Sequence, residues 1–142
     1  MADGKTHKTI GAFGGTVASL IFNGQKGTPN LSLIYIAGGA TGGIIGGRLA
    51  DIIDIPDSPF HRSFGHSVSI NGIAYLDKRT KKIFQDCLDY LIKKANKFIN
   101  EGNKILYYLC HFVAAFLIGF ATGHGLHLVT DMFTPMGLPL LF

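Results

Sequence analysis

KILYYLCHFVAAFLIGFATGHGLHLVTDM, residues 104–132, is the stretch that decides the fold. From Ile105 to Ala121 its only ionisable side chains are two tyrosines, one cysteine and His111. A run of this length and apolarity reads as a membrane-spanning helix. Pro135, Gly137 and Pro139 then stop it. The rest of the chain fits the same solvent. Of its 142 residues 47% are hydrophobic and only 15% charged, against roughly a quarter charged in a soluble domain. The deficit is concentrated in residues 9–22, 31–47 and 105–123. Many of the 19 glycines fall inside these apolar stretches. Helices in water avoid glycine, whereas helices in lipid use it to bring backbones together.

Working outward, a first segment from about Thr6 to Phe22 is apolar on most faces. Lys5 and Lys8 precede it, as in a signal peptide, but no small-x-small cleavage site follows and it is read as a retained helix. Fourteen apolar residues reach only about 21 Å, against about 30 Å of hydrocarbon, so this segment must extend beyond its apolar limits or dip into the bilayer without crossing it. A turn at Asn23–Asn30 leads to a second segment ending near Leu49. There Gly38, Gly42 and Gly46 are spaced by four, as are Gly39, Gly43 and Gly47. Small residues at that spacing share a helix face and mark close helix packing, within the chain or between copies of it in a homo-oligomer through residues 31–49. A third segment, Phe60–Leu76, starts at Ser58-Pro59 and is less apolar. A fourth, Arg79–Ile99, is amphipathic, with Ile83, Cys87, Leu88, Leu91, Ala95 and Phe98 on one face and lysines mainly off it. It either lies on a membrane surface or packs on the other helices. The expected fold is all-α: a single small integral membrane bundle, with about four membrane-embedded helices and one amphipathic helix. Cys87 and Cys110 are solitary and read as unpaired apolar side chains.

A net charge of +4 does not point to nucleic acid, and none is expected as a partner. The charges carry topology instead. If the first, second, third and fifth segments cross and the fourth lies on the surface, nine basic residues (Lys26 and those of 78–104) fall on one side and four on the other. The positive-inside rule then puts Lys78–Lys104 in the cytoplasm of a bacterial-type inner membrane. His7, the 51–66 region, His127 and Asp131 gather on the opposite face.

Ionisable groups in or beside a membrane are costly, which gives each a functional reading. Three of the nine acidic residues are Asp51, Asp54 and Asp57, and His61, Arg62 and His66 follow at once. His124, His127 and Asp131 are spaced by three and four, so they share a helix face. His7 opens the first segment. Imidazole with carboxylate suits zinc, manganese or iron better than calcium or magnesium. Each has a plainer reading as well: Asp51 and Asp54 as solvated turn residues, and His111, four residues after Tyr107, as a packed histidine.

Together, Asp51-Ile-Ile-Asp54-Ile-Pro56-Asp57, His61-Arg62-x-x-x-His66-Ser67 and His127-x-x-x-Asp131-x-x-Thr134-Pro135-x-Gly137-x-Pro139 resemble the YdjM-like family of predicted membrane-bound metal-dependent hydrolases. That family is thought to be distantly related to zinc-dependent phospholipases C and single-strand nucleases. The resemblance implies His7, Asp54, Asp57, His61, His66, His127 and Asp131 as metal ligands or their close neighbours. The His61 box departs from the family, with Ser63 in place of glycine and Gly65 in place of threonine. The implied activity is cleavage of a phosphoester of a membrane lipid or membrane-proximal substrate, with a divalent metal, zinc before manganese or iron. Asp57 or Asp131 would accept a proton from water and Arg62 would hold phosphate. Two rivals stand beside it: a non-enzymatic membrane protein whose His/Asp cluster is structural or binds a partner, and a pore whose histidines line a polar path.

Overall fold

In the computed structural model, residues 4–53 and 75–133 are described, and their regular structure is helical throughout, with no strand. Four α-helices follow one another: α1 (Gly4–Gln25), α2 (Ser32–Ile53), α3 (Lys78–Asn100) and α4 (Lys104–Met132). A 3-10 turn at Pro29–Leu31 leads into α2. Apart from Tyr75 and Leu76, the expected third segment lies outside the described residues.

Local chemistry sets the ends. Gly27 and Gly102 take φ of 67° and 78°, the left-handed conformation that turns the chain after α1 and after α3. The Asp77 carboxylate accepts from the Thr80 backbone N–H at 2.8 Å and caps α3, which also holds Asp77 below the usual carboxylate range. Asn103 caps α4 by accepting from the Leu106 N–H at 3.1 Å. With 22 residues, α1 reaches roughly 33 Å, so it does extend past its apolar limits.

The glycine spacing has two partners. Gly38, Gly42 and Gly46 of α2 face α4, where an added Cβ would strike the Phe112, Phe116 and Phe120 carbonyls. Gly39, Gly43 and Gly47 face α1, against the Gly15, Gly11 and His7 carbonyls. Adjacent residues on a helix point about 100° apart, so two four-residue repeats offset by one make two docking ridges on a single helix. Both ridges are filled within the chain. A copy-to-copy contact through α2 is left with its outward side, where Leu33, Ile36, Ile44 and Ile45 are exposed.

Polar groups lock the same contacts. The Ser19 hydroxyl of α1 donates to the Tyr35 carbonyl of α2 at 2.8 Å. The Tyr35 hydroxyl meets His111 Nδ1 of α4 at 2.9 Å, and the Tyr107 ring packs edge-on against the His111 ring. His111 is therefore a packed histidine in this arrangement. Tyr35→Phe should cost about 0.6–2 kcal/mol, the worth of one hydrogen bond between membrane helices. Thermal unfolding in detergent should show a drop of a few degrees with metal content unchanged. An unaltered midpoint would mean the pair adds nothing to α2–α4 docking.

Exposure is inverted relative to a soluble protein. Phe13 and Leu33 are 73% and 80% exposed, while His127 and Asp131 are each 1% exposed. Both α2, with its 3-10 turn, and α4 are long and apolar enough to cross a membrane.

One expectation needs correction. The sequence tally gathers Lys78–Lys104 on the face opposite the histidines. In fact α3 folds back along α4: Leu88 packs with Ala114 and Ile118, and the Tyr75 hydroxyl donates to the Ala121 carbonyl at 2.8 Å. Lys81 borders a groove with His124, whereas Lys104 opens the other end of α4. Among the described residues the histidine end then carries Lys5, Lys8, Arg48, Lys78, Arg79, Lys81 and Lys82. The other end carries Lys26, Lys93, Lys94, Lys97 and Lys104. The imbalance that set the orientation disappears, because amphipathicity fixes which face of a helix is buried but not the direction in which it runs.

Candidate metal centre

Three helices converge at one end of the bundle. His7 comes from the start of α1, Asp51 from the last turn of α2, and His127 and Asp131 from the last turns of α4. Gly47 makes the convergence possible, since a Cβ there would lie 2.7 Å from the His7 carbonyl oxygen. Without one, the first turns of α1 settle directly on α2 and carry the His7 side chain inward. On α4, the four-residue spacing puts His127 and Asp131 one above the other on the face turned to α1 and α2.

The His7 and His127 rings lie 4.0 Å apart, centroid to centroid. The Asp131 carboxylate bridges their Nε2 atoms, with Oδ1 3.3 Å from His7 Nε2 and Oδ2 3.5 Å from His127 Nε2. Asp51 Oδ1 is 3.7 Å from the same His127 nitrogen. His7, His127 and Asp131 are all buried and offer ligand atoms within 4.8 Å of one another. Asp51 remains partly open, its side chain 19% exposed.

The other nitrogen of His127 settles its chemistry. Nδ1 lies 2.8 Å from the Gly47 carbonyl oxygen. A carbonyl oxygen only accepts, so Nδ1 carries the hydrogen and a neutral His127 presents a bare lone pair at Nε2. That lone pair faces two carboxylates. Three electron-rich atoms turned toward one another repel unless a proton or a cation lies among them. Separations of 3.3–3.7 Å exceed good hydrogen bonds, which cluster at about 2.7–3.2 Å. They fit neighbouring ligands of one ion: around a tetrahedral zinc with bonds of about 2.0–2.1 Å, ligands lie roughly 3.3 Å apart. A ligating histidine that donates its second N–H to a backbone carbonyl is also the usual arrangement around a bound metal. The donor set, two imidazoles and one or two carboxylates, fits zinc, manganese or iron.

Of the residues expected from sequence, His7, His127 and Asp131 are brought together. Asp54, Asp57, His61, Arg62 and His66 lie outside the described residues. His124 does not join the group. It is buried where α4 meets Tyr75, whose ring stacks on it at 6.0 Å. Asp51, singled out in the sequence with Asp54 and Asp57 but left out of the implied ligand set, also reaches the group. Taking the polar run 51–59 as a turn kept it out, although α2 continues through Ile53. Its position four residues after Gly47, on the face that meets His127, was the available signal.

In comparisons with known proteins, the chain matches no protein-family model, no curated protein and no solved structure.

Proposed function

We propose that this chain is an integral membrane hydrolase of the YdjM-like type, using a divalent metal, zinc before manganese or iron, to cleave a phosphoester at the membrane surface. A bacterial-type inner membrane is its location. The observation that carries the reading is the buried His7–Asp131–His127 group, with His127 Nδ1 held on the Gly47 carbonyl and Nε2 offered toward two carboxylates. When bound, such an ion polarises a phosphoryl oxygen and lowers the pKa of water from 15.7 towards about 7. His7, His127 and Asp131 would hold it. Asp131 has both oxygens turned to histidines, which suits a ligand better than a proton acceptor. The partly exposed Asp51 is the described carboxylate placed to take a proton from water, a role shared with Asp57. Arg62 neutralises substrate phosphate.

Embedding is supported by the two long apolar helices and by the outward faces of α1, α2 and α4. Phe13, Val17, Ile21, Leu33, Ile45 and Leu109 are all at least 40% exposed there, a surface suited to lipid. About four helices, including the 60–76 segment, make up the embedded bundle in this reading, with α3 as the amphipathic one.

The rival is a purely structural cluster, in which a protonated His127 would pair with Asp131 and Asp51 without any ion. Metal analysis of protein purified in detergent without chelators separates the two. About one or more equivalents of divalent metal supports the hydrolase. A metal-free preparation that also takes up none on titration supports the structural cluster.

A further inference from the structure

A groove of about 560 Å³ lies between the N-terminal half of α3 and the middle of α4. Phe84, Leu117 and Phe120 form its apolar walls, and Lys81 and His124 contribute polar groups to its lining. Its volume falls within the usual range of small-molecule sites, about 300–1,000 Å³. Because α3 runs antiparallel to α4, Lys81 stands toward the candidate metal end, and Phe84 lies one turn deeper. His124 is three residues before His127, so the groove approaches the metal centre along the same helix.

Among the described residues the helix that opens the mouth carries one-sided charge. Residues 77–82 read Asp-Lys-Arg-Thr-Lys-Lys, four basic side chains and one acidic. Asp77 is occupied as the helix cap, and Lys78, Lys81 and Lys82 share a face by their spacing of three and four. The positive end of the α3 dipole adds to them. A largely apolar trough with a cationic mouth suits a ligand with a hydrocarbon tail and an anionic head, and suits neither a free anion nor a wholly polar solute.

We propose that this groove takes an acyl chain of an anionic phospholipid, with its phosphate against Lys81 and its basic neighbours. The lipid headgroup then sits at the same end of the bundle as the candidate metal centre, which makes an anionic phospholipid the substrate class of the proposed hydrolase. The groove inference rests on the membrane embedding proposed above, but binding does not depend on hydrolysis.

The test uses the full chain in phosphatidylcholine vesicles containing phosphatidylglycerol with a photoreactive acyl chain. Mass spectrometry maps the labelled positions. Label should concentrate on Phe84 and residues 117–120, and unlabelled phosphatidylglycerol should compete where phosphatidylcholine does not. Lys81→Gln, an exposed change that leaves the core alone, should weaken that competition about fivefold, the worth of one basic side chain near an anionic headgroup. Leu117→Trp should block the label by filling the trough. His127→Ala should retain it, so a failure of the hydrolase reading does not remove the groove. In protein that floats with the vesicles, label spread over Phe13, Val17, Ile21 and Leu33 as over the groove overturns this inference alone, as does equal competition by phosphatidylcholine. Protein that fails to float overturns the embedding and the groove together.

Discussion

His127→Ala is expected to lose the bound metal and any phosphoesterase activity, while keeping the helical content of the parent. His127 has its tautomer fixed from behind by the Gly47 carbonyl, and its Nε2 lies within 3.7 Å of both Asp131 and Asp51. Alanine removes a ligand and leaves the two carboxylates without the group between them. Loss of an outer-shell partner of a metal costs about 10–100-fold in affinity, and loss of the ligand itself should exceed that. His111→Ala is the control. It removes a buried histidine from the same helix, about 24 Å away along the axis, where its partners are Tyr35 and Tyr107. It should destabilise without releasing metal. Metal analysis and circular dichroism on both variants decide the matter. If both keep the parent's metal, the group at the end of α4 is not the site.

The second large effect concerns Gly43, which faces α1 and α4 at once. A Cβ at Gly43 would run into the Gly11 carbonyl, and the Gly43 carbonyl is itself what a Cβ at Gly123 would strike. The obstacles are backbone atoms, which cannot swing aside as a side-chain tip does. Gly43→Leu should therefore force α1 off α2 and cost at least the upper part of the 1–3 kcal/mol range for overpacking, with a fall in midpoint of roughly 10 °C or more in detergent. Gly24→Leu is the matched comparison, since nothing lies within 4 Å of a Cβ there. Equal stability of the two variants would mean the helices are further apart than this packing requires. Metal content should follow stability in the Gly43 variant, because Gly43 and Gly47 belong to the same ridge.

How far this was legible in the sequence differs by feature. The described helices were, because apolar runs bounded by glycine and proline and one amphipathic stripe leave little choice, and α4 runs over the same residues, Lys104–Met132, as the stretch that defined it. The glycine repeats gave close packing but not the division of labour between two offset ridges, since spacing names a face and not its partner. His127 and Asp131 were visible as a helical pair. His7 is more than a hundred residues away; the count of crossings put it on the same face as His127 and Asp131, and the family resemblance implied it as a ligand. Asp51 was misplaced because an aspartate-rich run before Pro56 has the composition of a turn, whereas α2 continues to Ile53. The direction of α3 was not readable at all, for the reason that also undid the charge tally.

The donors of the candidate centre stand at positions 7, 51, 127 and 131, and this spread has a consequence for biogenesis. A chain growing from its N-terminus has made its first donor long before the last pair exists. The site therefore comes into being only when α4 is complete and seated against α1 and α2. An ion captured then would clasp α1 to the last turns of α4 and would stabilise the assembled state in proportion to the logarithm of its free concentration. Incomplete or misinserted copies would lack that clasp, so the same few atoms that equip the protein for chemistry would also mark which copies had finished folding.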